Sequence, residues 1–216
     1  MTRKIAVCLL IFATPLLAQR SRGAPGTGNP TERRVPWHYV EKDAAIEKGP
    51  VVLYWLPASL DEAERSPLMT SRVLFDDSVR CVSLLIVLPE DSATIEKLGA
   101  TGKLPMAVVT DAQGKVIRTV ENVRGLLHPA AIEQALTDEL SARDEAMYRG
   151  MNDARRLAAT DKNAAIALYK KIWDDRCLFP IAGSDAQRSL KALGVIVADT
   201  PAPPPPDPGA KAKTKH

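Results

Sequence analysis

The sequence predicts an α/β fold in which a mixed central β-sheet is flanked by helices and followed by a C-terminal helical extension. Two short apolar runs, residues 51–56 and 81–88, have the composition of strands buried on both faces, and a segment of helical pattern separates them. Two further strands, residues 106–109 and 115–120, are separated by a tight turn and are therefore expected to be antiparallel. From Pro129 onward the apolar residues recur at helical spacing.

The composition is that of an ordinary globular protein. Of the 216 residues, 45% are hydrophobic and 25% are charged, which excludes collagen, a coiled coil and a polytopic membrane protein. Because only 5% of the residues are aromatic, we expect a mostly aliphatic core.

The first half of the chain is expected to alternate helices and strands. Apolar residues at helical spacing predict a helix over residues 38–48, and Gly49 follows as a stop signal. Residues 60–75 are expected to form a helix between the first two central strands, and residues 91–98 a shorter helix that ends before Gly99. Two strands joined through a helix should be parallel, with a right-handed crossover. A mixed sheet with helices on both faces follows from this order.

A helical extension is predicted over residues 143–199. It begins with a helix over residues 144–159, an amphipathic segment follows, and the S-x-x-Q sequence at residues 184–187 has the form of a capping box that opens a third helix. Residues 164–169 resemble a single helical-repeat unit, as in tetratricopeptide proteins, but one such unit cannot bury its apolar face alone. A helical cap packed on the sheet is favoured over a peptide-binding repeat.

Residues 1–18 have the pattern of a secretory signal peptide: two basic residues, an apolar run over residues 5–17, and Ala18 at the expected cleavage point. The apolar run is shorter than the ~20 residues that a bilayer-spanning helix needs. Because Gln19 rather than a cysteine follows, a lipid-anchored lipoprotein is not expected. The chain is therefore predicted to be exported to the periplasm or the extracellular space, with no transmembrane anchor after cleavage.

The two ends of the mature chain differ in composition from the part between them. Residues 19–34 are predicted to be a flexible linker, and residues 200–216 a disordered, proline-rich tail with a basic tip. We expect the tail to be solvated, and weak contact of its tip with the cell envelope is the alternative. Residues 35–199 carry 20 basic and 24 acidic side chains, whereas a nucleic-acid-binding domain should carry a basic excess on its folded surface. A nucleic-acid partner is therefore not expected.

The polar residues form no recognisable catalytic or cofactor site. The three histidines, His38, His128 and His216, are isolated from one another in the sequence. There is no glycine-rich phosphate loop, no Ser-His-carboxylate grouping and no spacing typical of metal ligands. No metal and no other cofactor is expected.

The element order and several short stretches resemble the thioredoxin-like superfamily, as found in exported thioredoxin-like domains. Residues 49–55 resemble the first central strand, residues 73–79 the end of the following helix, residues 102–106 the loop that carries the family's cis-proline, and residues 111–116 the hairpin after it. The resemblance covers residues 35–142 and implies a thioredoxin-like fold for them.

The family's reactive motif is absent. Thioredoxins use a C-x-x-C at the start of the helix after the first central strand, where the helix N-terminus and the second sulfur lower the pKa of one thiol. Here residues 56–66 contain no cysteine, and the two positions become either Ser59 and Glu62 or Ala63 and Ser66. A serine hydroxyl without an activating base is not a nucleophile at pH 7. The dithiol mechanism is therefore excluded.

The resemblance still implies a peptide-binding groove. In thioredoxins the cis-proline loop offers backbone groups to an extended peptide, and the matching positions are Leu104 and Pro105, with Trp55 and Ser59 nearby. The Leu104–Pro105 peptide bond is accordingly expected to be cis, although only ~5–6% of X–Pro bonds in folded proteins are.

Two cysteines remain once Cys8 has left with the signal peptide. Cys81 begins a buried strand, where a small core hydrophobe is the usual role, and Cys177 lies in a break between helices. A structural disulfide between them, two unpaired thiols and a redox-active role all remain open.

The favoured function is an exported, redox-inert thioredoxin-like module that binds a peptide or protein partner in the cell envelope, or serves there as a scaffold. The alternative is an enzyme related to thiol-disulfide oxidoreductases that uses Cys81 or Cys177. A third class is a purely structural subunit that its tails tether to the envelope.

Overall fold

The computed structural model describes residues 34–100 and 102–198. The predicted signal peptide, almost all of the predicted linker and the proline-rich tail lie outside these residues. The described residues form five strands and six α-helices, which confirms the α/β class and the mixed sheet.

The strands are β1 (His38–Tyr39), β2 (Val51–Leu56), β3 (Val82–Ile86), β4 (Met106–Asp111) and β5 (Val116–Glu121). They lie side by side in the order β1-β3-β2-β4-β5. The first three are parallel to one another, β4 is antiparallel to β2, and β5 is antiparallel to β4. Leu56 at the end of β2 lies opposite Met106 at the start of β4, so the chain leaves β2 and enters β4 at the same edge of the sheet.

The helices are α1 (Leu60–Arg65), α2 (Arg72–Ser78), α3 (Ser92–Lys97), α4 (Pro129–Leu157), α5 (Lys162–Asp174) and α6 (Pro180–Ala192). A turn of 3-10 helix, Pro67–Thr70, separates α1 from α2. None of the helices in the described residues is both long enough and apolar enough to span a bilayer.

The central strands β2, β3 and β4 are buried on both faces, as the continuous apolar run of β2 predicted, whereas β5 at the edge of the sheet is partly exposed. Successive residues of a strand point to opposite faces, and all six residues of β2 are buried. Leu53 and Trp55 pack into a core that includes residues of α1, α2, α4, α5 and α6. Tyr54 and Leu56 pack on the other face, against Leu98 at the end of α3 and the segment that precedes β2.

The predicted helix over residues 38–48 is wrong. His38 and Tyr39 instead form β1, and the Val40 amide continues the sheet by donating to the Ile86 carbonyl at 2.9 Å. Polar side chains fix the rest of this segment: the Glu47 amide donates to the Tyr54 hydroxyl at 2.7 Å. Tertiary hydrogen bonds have therefore overridden the helical propensity of the alanines and glutamates.

The helix predicted over residues 60–75 is divided into α1, the 3-10 turn and α2. Three serines account for the division, because Ser59, Ser66 and Ser71 each accept a hydrogen bond from an amide two or three residues ahead. Serine is favoured at such N-cap positions, and Pro67, which has no amide hydrogen, begins the middle turn.

Two predicted helix boundaries in the C-terminal part are also wrong. The helices predicted from Pro129 and from Asp144 are one helix, α4, because no proline or glycine occurs between Pro129 and Gly150 to interrupt it. The third helix begins at Pro180 rather than at Ser184, and the Ser184 hydroxyl donates to the Pro180 carbonyl at 2.9 Å from inside α6. Proline is well suited to the first turn of a helix, which explains the earlier start.

Candidate functional site

The groove residues implied by the resemblance lie at the edge of the sheet where β2 ends and β4 begins. Ser59 follows β2 by three residues, and Leu104 precedes β4 by two. Because Leu56 pairs with Met106, the start of α1 and the loop of residues 102–105 leave the sheet at this one edge.

Asn122 holds the loop of residues 102–105 in place. Its side-chain amide donates to the carbonyls of Lys103 at 2.5 Å and Pro105 at 3.1 Å. Its side-chain oxygen accepts from the Gly125 amide at 2.8 Å, so one side chain joins this loop to the turn after β5. The Leu104–Pro105 peptide bond is cis, which confirms that prediction.

Leu104 lies between the two carbonyls that Asn122 engages, and its own backbone is open. Within the part of the chain that the structure describes, no hydrogen bond uses the Leu104 amide or carbonyl. Its side chain is half-buried against the core on the α3 face, whereas Pro105 is buried. The loop therefore leaves a backbone donor and a backbone acceptor without a described partner on a segment that Asn122 anchors.

Two exposed apolar side chains lie in the turn that Asn122 ties to this loop. Val123 is 63% exposed and Leu126 is 66% exposed. The amide of each donates to the carbonyl of the other, at 2.9 and 3.1 Å, so the turn is closed by its own backbone. An open backbone segment with apolar side chains beside it is suited to hold an extended peptide.

The start of α1 is capped by its own side chains. The Ser59 hydroxyl accepts from the Glu62 amide at 3.1 Å, and the Glu62 carboxylate accepts from the Ala58 amide at 2.7 Å. This reciprocal arrangement stabilises the helix start and engages both side chains. Ser59 is exposed, but its hydroxyl serves as a helix cap.

Trp55 lies inside the core rather than on the surface. It is 1% exposed, and its ring centroid is 5.6 Å from that of Trp37. Of the four groove residues that the resemblance suggested, Leu104 and Ser59 reach the surface and Pro105 is buried in the loop, whereas Trp55 belongs to the core on the opposite face of the sheet from the Leu104 side chain.

Cys81 and Cys177 are joined in a disulfide at the other end of the sheet. The Cα atoms of Cys81 and Cys177 are 5.7 Å apart. Cys81 directly precedes β3, and the first residue of β3 pairs with Val51 at the start of β2. The bond links the sheet to the turn between α5 and α6. Beside it the Arg80 guanidinium donates to the Leu178 carbonyl at 3.2 Å and lies over the Phe179 ring.

Among the described residues, no group of three or more His, Cys, Asp or Glu side chains is placed to hold a metal ion.

No protein-family model matches the chain, and no curated protein is significantly similar to it.

Asn122 is the site residue that the sequence analysis missed. Its signal in the sequence was the N-x-x-G spacing with Gly125, because asparagine and glycine favour tight turns. In the structure Arg124 and Gly125 both have left-handed backbones, with φ of 55° and 81°.

Proposed function

We propose that this chain is a redox-inert, thioredoxin-like protein that binds an extended polypeptide segment along the loop of residues 102–105. The parallel pairing of β1, β3 and β2, the antiparallel hairpin beyond them and a proline loop directly before β4 support the thioredoxin-like assignment. The N-terminal signal pattern supports export, and a protein or peptide in the cell envelope is the proposed partner.

The observation that carries the binding proposal is the open backbone of Leu104. An extended peptide placed beside it gains main-chain hydrogen bonds, as in peptide recognition by strand addition, and the side chains of Val123 and Leu126 supply adjoining apolar surface. Because Asn122 holds the loop in place before the peptide binds, the entropic cost of ordering the loop on binding is smaller.

The positions of the sulfur atoms support the redox-inert part of the proposal. No cysteine occurs between β2 and α2, and Ser59 and Glu62 occupy the helix start as a reciprocal cap. Cys81 and Cys177 lie at the opposite end of the strands, about five strand residues or roughly 16 Å away. A peptide held at Leu104 does not reach them.

The binding proposal is tested with an unfolded polypeptide as the probe, reduced and carboxymethylated lactalbumin, whose binding to the mature protein is followed by fluorescence anisotropy. Leu104→Asp is expected to weaken binding at least tenfold, because its carboxylate would be desolvated beside the peptide without a partner. Val79→Asp is the matched control: Val79 is also exposed, at 64%, but lies at the opposite end of the sheet.

Deletion of residues 200–216 is expected to leave the affinity for this probe unchanged, because the proposed site consists of the loop of residues 102–105 and the turn after β5. Thermal unfolding of each variant establishes that it is folded. The proposal is wrong if the wild-type protein shows no saturable binding, or if Leu104→Asp and Val79→Asp have equal effects.

A further inference from the structure

We propose that the C-terminal segment of the chain, residues 199–216, docks in a groove along α4, at the end of the sheet opposite Leu104. The groove consists of two adjoining depressions of about 300 and 250 Å³, and Arg80 and Asp144 line both of them. We call it the α4 groove. It follows α4 from Thr137 to Tyr148, about 16 Å at 1.5 Å per residue.

One half of the α4 groove is acidic. Asp76 and Asp77 at the end of α2 face Asp144 of α4 across it. Asp76 and Asp77 have arginine neighbours within the structure, but Asp144 forms no ion pair with any described residue. Burial raises the pKa of Asp77, so a cation that approaches this half relieves an electrostatic cost.

The other half of the α4 groove is apolar. Tyr148 is 58% exposed and Ile181 is 79% exposed, and the buried side chains of Met147 and Phe179 line the depression with them. Pro180 completes this wall at the start of α6. An exposed aromatic ring beside aliphatic side chains is the kind of surface on which polyproline segments dock.

The chemistry of residues 199–216 matches both halves in the required order. Six prolines between Pro201 and Pro208 come first, and Lys211, Lys213 and Lys215 follow. The prolines complement the apolar half, and the lysines complement the acidic half.

The direction of the described chain supports the same assignment. After α6, Gly194 adopts a left-handed backbone, with φ of 79°, and the Val195 amide donates to the Leu190 carbonyl. Val195 and Val197 then line a depression together with Gln187, so the chain has turned back along α6. From Gln187 to Ile181 is about 9 Å of helix.

The length of the segment is sufficient. A polyproline helix advances about 3.1 Å per residue, which places Pro201 to Pro206 about 9–25 Å beyond Ala198. That range covers the apolar half of the groove. Lys211 to Lys215 reach about 40–53 Å, enough to extend along the acidic half.

The test is a paramagnetic relaxation measurement on the oxidised mature chain. A nitroxide label is attached through Ala212→Cys, and amide relaxation is recorded in ¹⁵N-labelled protein. We expect enhanced relaxation at Asp144, Tyr148 and Ile181. Asp144→Lys should reduce it at least threefold, because the lysines would then meet a positive charge.

Glu145→Lys is the matched control, because Glu145 is adjacent on α4, pairs with Arg149 on the solvent side and does not line the groove. It should leave the enhancement unchanged. Absence of enhancement in the α4 groove, or equal effects of the two substitutions, would overturn the proposal. A second sample mixes nitroxide-labelled chains without ¹⁵N with ¹⁵N-enriched chains without nitroxide. Enhanced relaxation in this sample would show that the tail of a second copy occupies the groove, and it would overturn docking within one chain.

Discussion

Substitution of Gly183 by alanine tests the close approach between α6 and the turn that precedes it. A Cβ atom added at Gly183 would overlap the Cβ of Arg176 and lie 2.9 Å from its Cα. Because these atoms belong to the backbone or adjoin it, rotation of the arginine side chain cannot relieve the overlap. The turn between α5 and α6 would have to move.

The expected magnitude follows from two opposed effects. Alanine is favoured over glycine in a helix interior by about 1 kcal/mol, whereas overpacking costs about 1–3 kcal/mol and sometimes more. Since the overlap at Gly183 involves backbone, we expect a net loss of about 1–2 kcal/mol in the free energy of unfolding. Gly150→Ala is the matched control: its added Cβ would lie 3.7 Å from the Ile172 Cδ1, an ordinary contact, and should stabilise α4 by about 0.5–1 kcal/mol.

Urea unfolding of the oxidised protein, followed by circular dichroism, measures both variants against wild type. The two substitutions should change the free energy of unfolding in opposite directions at an unchanged m-value. The packing described for α5 and α6 is wrong if Gly183→Ala is as stable as wild type or more stable. It is equally wrong if both variants are destabilised alike.

Two further predictions concern covalent and ionic contributions to stability. Reduction of the Cys81–Cys177 disulfide should lower the free energy of unfolding by about 2–5 kcal/mol, because the bond closes a long loop between residues 96 positions apart. A Cys81→Ser, Cys177→Ser variant should already show the lower value, and no change on reduction would contradict a structural disulfide. Burial raises the pKa of Tyr54 from 10.0 to about 12. Between pH 10 and pH 12 the Tyr54 hydroxyl therefore ionises in the unfolded chain but not in the folded one, and the free energy of unfolding should fall. In urea unfolding, the free energy of unfolding should fall by about 2 kcal/mol more for wild type than for Tyr54→Phe over this pH interval. Parallel plots of the free energy of unfolding against pH would refute the raised pKa of Tyr54.

The buried sheet was the part of the fold that the sequence made most predictable. Residues 51–56 and 106–109 are continuous apolar runs, and such runs favour strands buried on both faces whatever the rest of the chain does. The segment before β2 was not predictable in this way. The Tyr54 hydroxyl that accepts from the Glu47 amide is a partner brought in by tertiary structure, and no local pattern of residues encodes it.

The candidate site shows the same division. Pro105 is recognisable from its position just before a strand, but the openness of the Leu104 backbone depends on Asn122, which engages the carbonyls on either side of it from another loop. Trp55 pairs with Ala107 close to the start of β4 and yet lies in the core, because the alternation along β2 directs it to the face that α1 and α4 cover.

The helical extension is better understood as part of one core than as an appended repeat. Ile132 and Leu136 near the start of α4 share a buried cluster with Leu53 of the sheet and with Leu190 of α6. The same helix, α4, then continues through residues 142 and 143, where the resemblance to thioredoxins ends, and carries α5 and α6 on its second half. The disulfide and the Arg80 contacts fasten the turn between α5 and α6 to the start of β3. The disulfide and the Arg80 contacts lie at the end of the sheet opposite the loop of Leu104, so the extension is fastened away from the proposed peptide site.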